Sequence, residues 1–351
     1  MTLVVSSQIL RLRSNSLMTR MLHQPMKKIV TRNGYFFSSS FSTTPQHSFV
    51  LSHPSLVDST TATNTNATAN TNTTESSKRR GRIICITSGK GGVGKTTVSA
   101  SISMGLAQRG HRVCVVDLDI GLRNLDLHLG CERRVIFDFV HVLLGECSLH
   151  QALLRDKREP NLSLLAASQT RDKDCLTLDG VERILADLTQ TFDFVVLDSP
   201  AGIESGAKHS MYFADDAILV VNPELSSCRD ADKMVGFIAS KSRRAELGER
   251  ECLPVQQSLL INRYDPTRAA AEESLAIADI EELLGLPVIG VIPESKEVLN
   301  CTNVGSPVIL LSEDAPVAGA FRDTVDRYLG EERELRFITP EPVSFFRRIF
   351  G

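Results

Sequence analysis

A doubly wound α/β domain with a mostly parallel sheet is the fold this sequence predicts, and three observations carry the prediction. Seven short apolar runs, Ile83–Thr87, Val113–Asp117, Leu162–Ala166, Phe194–Asp198, Ala217–Asn222, Ser258–Asn262 and Val288–Ile292, are separated by stretches of helical length. The runs are apolar almost throughout, as strands covered on both faces are. The first of them passes through a glycine-rich loop straight into a helix-forming stretch, Val98 to Arg109. In sheets of this kind ligands bind at the carboxyl ends of the strands, so polar residues at those ends are expected to converge.

The chain has 351 residues, and its organisation is uneven. Up to Val57 there is no Asp or Glu, while Arg11, Arg13, Arg20, Lys27, Lys28 and Arg32 are spread among Ser, Leu and Thr. An Arg- and Ser-rich, acid-poor start reads as an organellar presequence over residues 1–57, and the alternative is a plain disordered tail. The stretch RNGYFFSSS from Arg32 resembles a mitochondrial processing site. Residues 58–80 are mostly Thr, Asn, Ala and Ser, too polar to collapse, and read as a disordered linker. The α/β domain is assigned to residues 81–335 and a short terminal segment to 336–351. Of 39 basic and 42 acidic side chains, nine and two lie in the first 80 residues, which leaves the rest of the chain at −10. So acidic a body argues against binding nucleic acid, which needs a basic stripe. The eight cysteines stand singly, with no C-x-x-C pair, so neither a zinc ribbon nor an Fe–S ligand pair is signalled, and buried thiols in a reducing compartment are expected.

The loop after the first strand reads Gly89, Lys90, Gly91, Gly92, Val93, Gly94, Lys95, Thr96, Thr97. Strand, glycine loop and helix form a phosphate-binding loop: glycines let backbone N–H groups converge on phosphate oxygens, and the helix N-terminus adds its positive dipole end. Lys95 reaches the β/γ-phosphates in this reading, and the Thr96 hydroxyl ligates Mg²⁺. Gly89, Gly91 and Gly94 also spell G-x-G-x-x-G, the dinucleotide fingerprint. The Lys95–Thr96 pair decides for a nucleoside triphosphate, because a dinucleotide site needs neither a lysine nor a metal-binding hydroxyl there.

Three strand ends carry candidate chemistry. Asp117 and Asp119 close the second run, and positions i and i+2 of a strand share a face. Asp198 closes an apolar run, as a magnesium-holding Walker B element does. Solvated aspartates at loop starts are the plainer alternative, disfavoured downstream of a phosphate loop. Asn262 and Arg263 end a third run, where the first suits a base edge and the second stacks on or flanks it; a turn-forming Asn beside a surface Arg stays open.

The motif KGGVGKT from Lys90 to Thr96, with its extra lysine at the start, resembles the deviant Walker A motif. Together with DIGLRNLD (Asp119 to Asp126) and DSPAGI (Asp198 to Ile203) it is similar to the MinD family of site-selection ATPases. The likeness runs over residues 81–351 and includes CERR (Cys131 to Arg134), ASQTRDK (Ala167 to Lys173) and ASKSRRA (Ala239 to Ala245). That resemblance implies a P-loop NTPase fold of the deviant Walker A type, with ATP and Mg²⁺ as cofactors. It implies that ATP closes a homodimer in which Lys90 reaches across to the partner's phosphates. By the same resemblance, Asp119 orients the attacking water, and Asp117 and Asp198 support the metal through its waters. The likeness assigns Asn124 to a first switch segment and Gly202 to a second, where its backbone senses the γ-phosphate. It also places Arg229, Asp230 and Asp232 at the helix start that binds regulators, against the plainer reading of an ordinary capped helix.

The terminal segment ends in Phe345, Phe346, Arg347, Arg348, Ile349 and Phe350. At 100° per residue the three Phe and the Ile fall within a face roughly 140° wide, with the arginines on the other side. That is a membrane-surface helix in miniature, facing an anionic membrane; docking into the domain's own core is the alternative. One such helix binds weakly, since each buried apolar side chain contributes roughly 1.5–3 kcal/mol before ordering costs. Two on one dimer gain about 10²–10⁴ in effective affinity, so nucleotide-controlled dimerisation becomes nucleotide-controlled membrane binding. The expected function is placement of an organelle division site by negative regulation of an FtsZ ring, with MinC-, MinE- or FtsZ-like partners. The expected location is the mitochondrial matrix, peripheral on the inner membrane, with the plastid stroma as alternative. Cargo positioning, or a nucleotide-gated scaffold with little turnover, are the rival functions.

Overall fold

All seven expected strands form, and they lie in one sheet. The computed structural model of the protein describes residues 80–336, apart from 203, 204, 249 and 251. In chain order the main elements are β1 (Arg82–Thr87), α1 (Lys95–Gln108), β2 (Val113–Asp117), α2 (Leu125–His128), β3 (Leu154–Arg155), β4 (Leu162–Leu165), α3 (Leu178–Thr191) and β5 (Phe194–Asp198). Next come α4 (Ser205–Tyr212), β6 (Asp216–Val221), α5 (Leu225–Lys241), β7 (Gln256–Tyr264), β8 (Val288–Pro293), α6 (Lys296–Val304) and α7 (Pro316–Tyr328), with shorter helical turns between them. The sheet order is β3-β4-β2-β5-β1-β6-β7-β8. Every pairing is parallel except β3 with β4. The strand β3 has two residues, too few to leave a pattern in the sequence.

Alternate residues of β1 show why the strands are apolar throughout. Ile84 and Ile86 pack into a core layer with Val98, Ile102 and Leu106 of α1 and Val317, Phe321 and Val325 of α7. Ile83 faces the opposite layer, built with Ile184, Leu185 and Leu188 of α3, and Cys85 meets Ala207 and Met211 of α4 with Met234 of α5. Both faces are covered, which a period of two in a parallel strand requires. The helix α1 is itself buried on nearly every side, from Val98 through Ala107. Its sequence accordingly lacks a polar stripe and uses small residues, Ser99, Ala100, Ser101 and Ser103, where neighbours approach. It also begins three residues earlier than the sequence suggested, because the phosphate-loop residues Lys95 to Thr97 already form its first turn.

The eight cysteines are free. Five are buried as expected, while Cys147, Cys175 and Cys252 are half-buried. Residues 1–57, the 58–79 stretch and the terminal Phe345, Phe346, Arg347, Arg348, Ile349 and Phe350 lie outside the described residues.

Candidate nucleotide site

The loop between β1 and α1 has the backbone its glycines allow. Gly92 has φ +74° and Gly94 φ +99°, the left-handed region that side chains resist. Gly94 caps α1 without a side-chain acceptor, and the helix's first turn holds no acidic residue. The first N–H groups of α1 therefore face the loop with no carboxylate to satisfy them, which fits an incoming anion. Lys95 sits at this mouth, 8% exposed, and its Nζ donates to Ser88 Oγ at 2.9 Å. Burial lowers its pKa, opposed by the charges of Asp198 and Asp119. An ammonium group held in so dry a place is placed for phosphate oxygens.

The two aspartates expected to support a metal, Asp117 and Asp198, stand side by side in the sheet. Asp117 and Asp198 end neighbouring parallel strands in register, and both are buried to 2% exposure or less. Burial pushes both carboxyl pKa values up; the charge of Asp198 adds to the shift of Asp117, and that of Asp119 to the shift of Asp198. Asp198 accepts from Ser99 Oγ at 2.8 Å and is bonded to the Thr96 side chain, both of which lower its pKa. Two buried carboxylates with one nearby lysine make a site short of positive charge, and Mg²⁺ with its waters fits that donor set. Among the described residues no group of three His, Cys, Asp or Glu side chains could hold a metal alone. Asp117 has a second duty that the sequence did not reveal. Its Oδ1 accepts from the N–H of Asp119 at 3.0 Å, and its Oδ2 from those of Asn124 and Leu125 at 3.2 and 3.1 Å. Both oxygens therefore hold the backbone between Asp119 and Leu125, the stretch expected to act as a first switch.

Several of the expected site residues have partners within the chain. Asn262 was expected at a base edge, but its Nδ2 donates to Val93 O at 2.7 Å, so one face of its amide fastens the phosphate loop. Arg263 is exposed with φ +55°, at an irregularity in the pairing of β7 with β8 between Ile261 and Tyr264. Gly202 was expected to sense the γ-phosphate through its backbone; its N–H donates to Ser88 O at 3.2 Å, which ties it to the residue that begins the phosphate loop. The Nζ of Lys90 pairs with Glu224 Oε2 at 2.8 Å and reaches Ser226 Oγ at 3.3 Å. Arg229 and Asp232 are exposed on the first turns of α5, while Asp230 pairs with Lys233 at 3.0 Å. The start of α5 also buttresses the loop, since a Cβ on Gly89 would stand 2.3 Å from the Asp230 backbone. The surface expected to receive regulators and the phosphate loop are thus in contact.

Sequence reasoning missed Ser88, Ser99 and Glu224. The first two are small polar residues without a motif signal of their own. Glu224 follows Asn222 and Pro223 just past β6, and the rule that singled out Asp117 and Asp198 at strand ends applies there equally.

Residues 84–308 match the CobQ/CobB/MinD/ParA nucleotide binding domain. The septum site-determining protein MinD of Escherichia coli strain K12 is 55% identical over 271 residues, spanning 77% of this chain and 99% of the relative. The chain belongs to the MinD family. Solved structures of MinD superpose on it. One is the MinC:MinD cell division complex of Aquifex aeolicus, at 36% identity, TM-score 0.63, covering 73% of this chain and 98% of that one. Another is MinD of Pyrococcus horikoshii complexed with Mg-ADP, at 29% identity, TM-score 0.61, covering 70% and 95%. Membership of the MinD family makes the protein an ATPase of cell-division type, with the fold and loop that the sequence predicted.

Proposed function

We propose that this MinD-family ATPase couples Mg-ATP binding to dimerisation and membrane attachment, and thereby sets where an organelle divides. The observation that carries the reading is a complete site in a chain that matches MinD along 99% of that relative's length. Lys95, Thr96 and the N-terminus of α1 bind the phosphates, and Asp198 and Asp117 hold the metal through its waters. Bound Mg²⁺ supplies charge neutralisation for the phosphoryl group. Asp119 positions the attacking water and holds its proton by hydrogen bonding. Lys90, released from Glu224, adds positive charge to the partner's phosphates in the dimer, where a loose transition state is stabilised by it.

Glu224 then competes with the partner for Lys90. Glu224→Gln removes one half of an exposed ion pair, whose two side chains are 52% and 42% exposed, and costs less than about 1 kcal/mol of stability. The expected result is an unchanged melting temperature with dimer formed at lower ATP concentration, read by light scattering. An unchanged dimerisation curve would exclude the competition.

A MinC-like regulator is proposed at Arg229, Asp230 and Asp232, whose contact with the phosphate loop supports nucleotide-sensitive binding. The A. aeolicus MinD was solved with MinC. Attachment is assigned to the terminal segment, whose three Phe and one Ile share one face in the helical reading of its sequence; among the described residues no helix is long and apolar enough to cross a membrane. The acid-poor, Arg-rich start of the chain supports the mitochondrial matrix and its inner membrane as the location. Co-sedimentation with anionic vesicles in ATP and in ADP tests the reading. Pelleting in ATP alone, lost on ending the chain at Pro342, is the expected result. Equal pelleting in both nucleotides makes the tail a constant anchor, and no pelleting brings cargo positioning forward.

A further inference from the structure

His128 lies at the end of α2, just beyond the first switch segment, and its ring touches both that segment and the phosphate-loop helix. Its Nδ1 is 3.0 Å from the backbone oxygen of Asn124. Its Nε2 is 3.3 Å from Oγ1 of Thr97, in the first turn of α1 and 31 positions away in sequence. A carbonyl oxygen only accepts, so Nδ1 carries the proton of the first bond. In the neutral ring Nε2 is then an acceptor, and the Thr97 hydroxyl donates to it. Burial lowers the pKa of the ring, against opposing contributions from the Asn124 carbonyl and Asp126, and so favours that neutral form. The Asn124 residue whose carbonyl the ring holds is the one whose N–H donates to Asp117 Oδ2 at 3.2 Å. A continuous chain of bonds therefore runs from the buried aspartate pair through Asn124 and the imidazole to the helix that carries Lys95 and Thr96.

We propose that His128 is a positioning residue for the ATPase, clamping the first switch segment to Thr97 so that the metal-side and phosphate-side groups keep a fixed spacing. The inference rests on the phosphate-loop reading of Thr97 and deepens it. Neither of these bonds reaches the metal pair or Lys95, so the imidazole acts through Thr97 and Asn124. Its two bonds both act on parts that must be ordered together for turnover, while the grip on nucleotide itself remains with the loop backbone and Lys95. The expected signature of losing the clamp is a fall in kcat larger than the rise in KM.

Four full-length variants test this by steady-state turnover of Mg-ATP, with the unsubstituted protein as control. His128→Leu fills the space without the bonds and is expected to lower kcat by about 5–20-fold, with KM for ATP changed less than about 3-fold. His128→Gln offers an N–H and a carbonyl oxygen on one short arm and is expected to recover most of that loss. Thr97→Val combined with His128→Leu is expected to lose no more kcat than Thr97→Val alone, because the ring works through that hydroxyl. Faster hydrogen exchange at the amides of Asn124 and Leu125 in His128→Leu is the matching physical readout. Fully additive losses, a glutamine variant as weak as the leucine one, or kinetics within about 2-fold of the control in His128→Leu would each overturn the proposal. Failure of the underlying reading shows elsewhere, as an unsubstituted protein that does not turn over ATP.

Discussion

Gly94→Ala abolishes ATP turnover while leaving the domain folded. Two costs meet at this position. The backbone has φ +99°, where an alanine is strained by about 1–2 kcal/mol or more. The added Cβ also stands 2.4 Å from Asn262 Nδ2, closer than any real contact of that kind. Asn262 is buried and holds Val93 O at 2.7 Å, so moving it leaves polar groups without partners, at about 1–3 kcal/mol. Either way the loop that cradles the phosphates shifts. Turnover is expected to fall by about 10²-fold or more, the range in which displaced transition-state groups act. The melting temperature is expected to drop by several degrees, at about 2–4 °C per kcal/mol for a domain of this size. Gly92→Ala, at φ +74° with nothing within 4 Å of its Cβ, meets strain without the clash and is expected to melt higher than Gly94→Ala. Adding Asn262→Ala to Gly94→Ala removes the clash and keeps the strain, so it recovers part of the loss. Turnover of Gly94→Ala within about 3-fold of the unsubstituted protein would show that the loop does not bind as described.

Asp198→Asn raises the melting temperature of the protein without nucleotide or Mg²⁺, and removes its activity. Asp198 and Asp117 are both buried and in register, and burial pushes their pKa values above the unfolded ones, with neighbouring carboxylate charge adding to each. A folded state with raised acid pKa values binds more protons than the unfolded chain between the two. Stability therefore falls as pH rises from about 4, the unfolded value, through the folded values, and stays low above them. The free protein is expected to melt progressively lower from about pH 5 to pH 8. Asn at 198 keeps an acceptor for Ser99 Oγ and removes one of the two charges, so this slope is expected to shrink. Mg²⁺ with nucleotide is expected to flatten the slope in the unsubstituted protein by neutralising the pair. Turnover is expected to fall by about 10²-fold in the variant, since the metal loses its second carboxylate. A variant that melts lower than the unsubstituted protein at about pH 8 would mean that the pair is stabilised by its hydroxyl partners more than it is strained by its charge.

How much of this was legible in advance depends on how far apart the interacting residues are. The strand runs, the phosphate loop and the strand-end aspartates were readable because each is a local pattern: an apolar run, a glycine spacing, an acid at a run's end. The short β3 was not, since two residues carry no period. The contact of Asn262 with Val93 spans 169 positions and that of Lys90 with Glu224 spans 134, and neither has a local trace. Asn262 looked like a base reader because a strand end beside a nucleotide site invites that role, yet in the fold one face of its amide is committed to the loop backbone. The N–H of Gly202 is likewise committed, to Ser88 O, for the same reason of proximity. The expectation of buried thiols held at five cysteines and missed at Cys147, Cys175 and Cys252, which stand outside the apolar strand runs.

The motifs carried the resemblance to the MinD family; by itself, the sequence determined the doubly wound fold, the phosphate loop with Lys95 and Thr96, and the acids at the ends of β2 and β5. These are set by side-chain periodicity and short spacings, which the backbone's two soft dihedrals turn directly into strands, helices and loops. Only the tertiary structure decided that Asp117 holds the backbone of Asp119, Asn124 and Leu125, that Lys90 rests on Glu224, that α5 presses on Gly89 and that His128 bridges Thr97 and Asn124. Those contacts depend on which loops the packed layers bring side by side. Their energies are those of buried polar groups needing partners, and a partner is fixed by position in space, which no local stretch of sequence encodes.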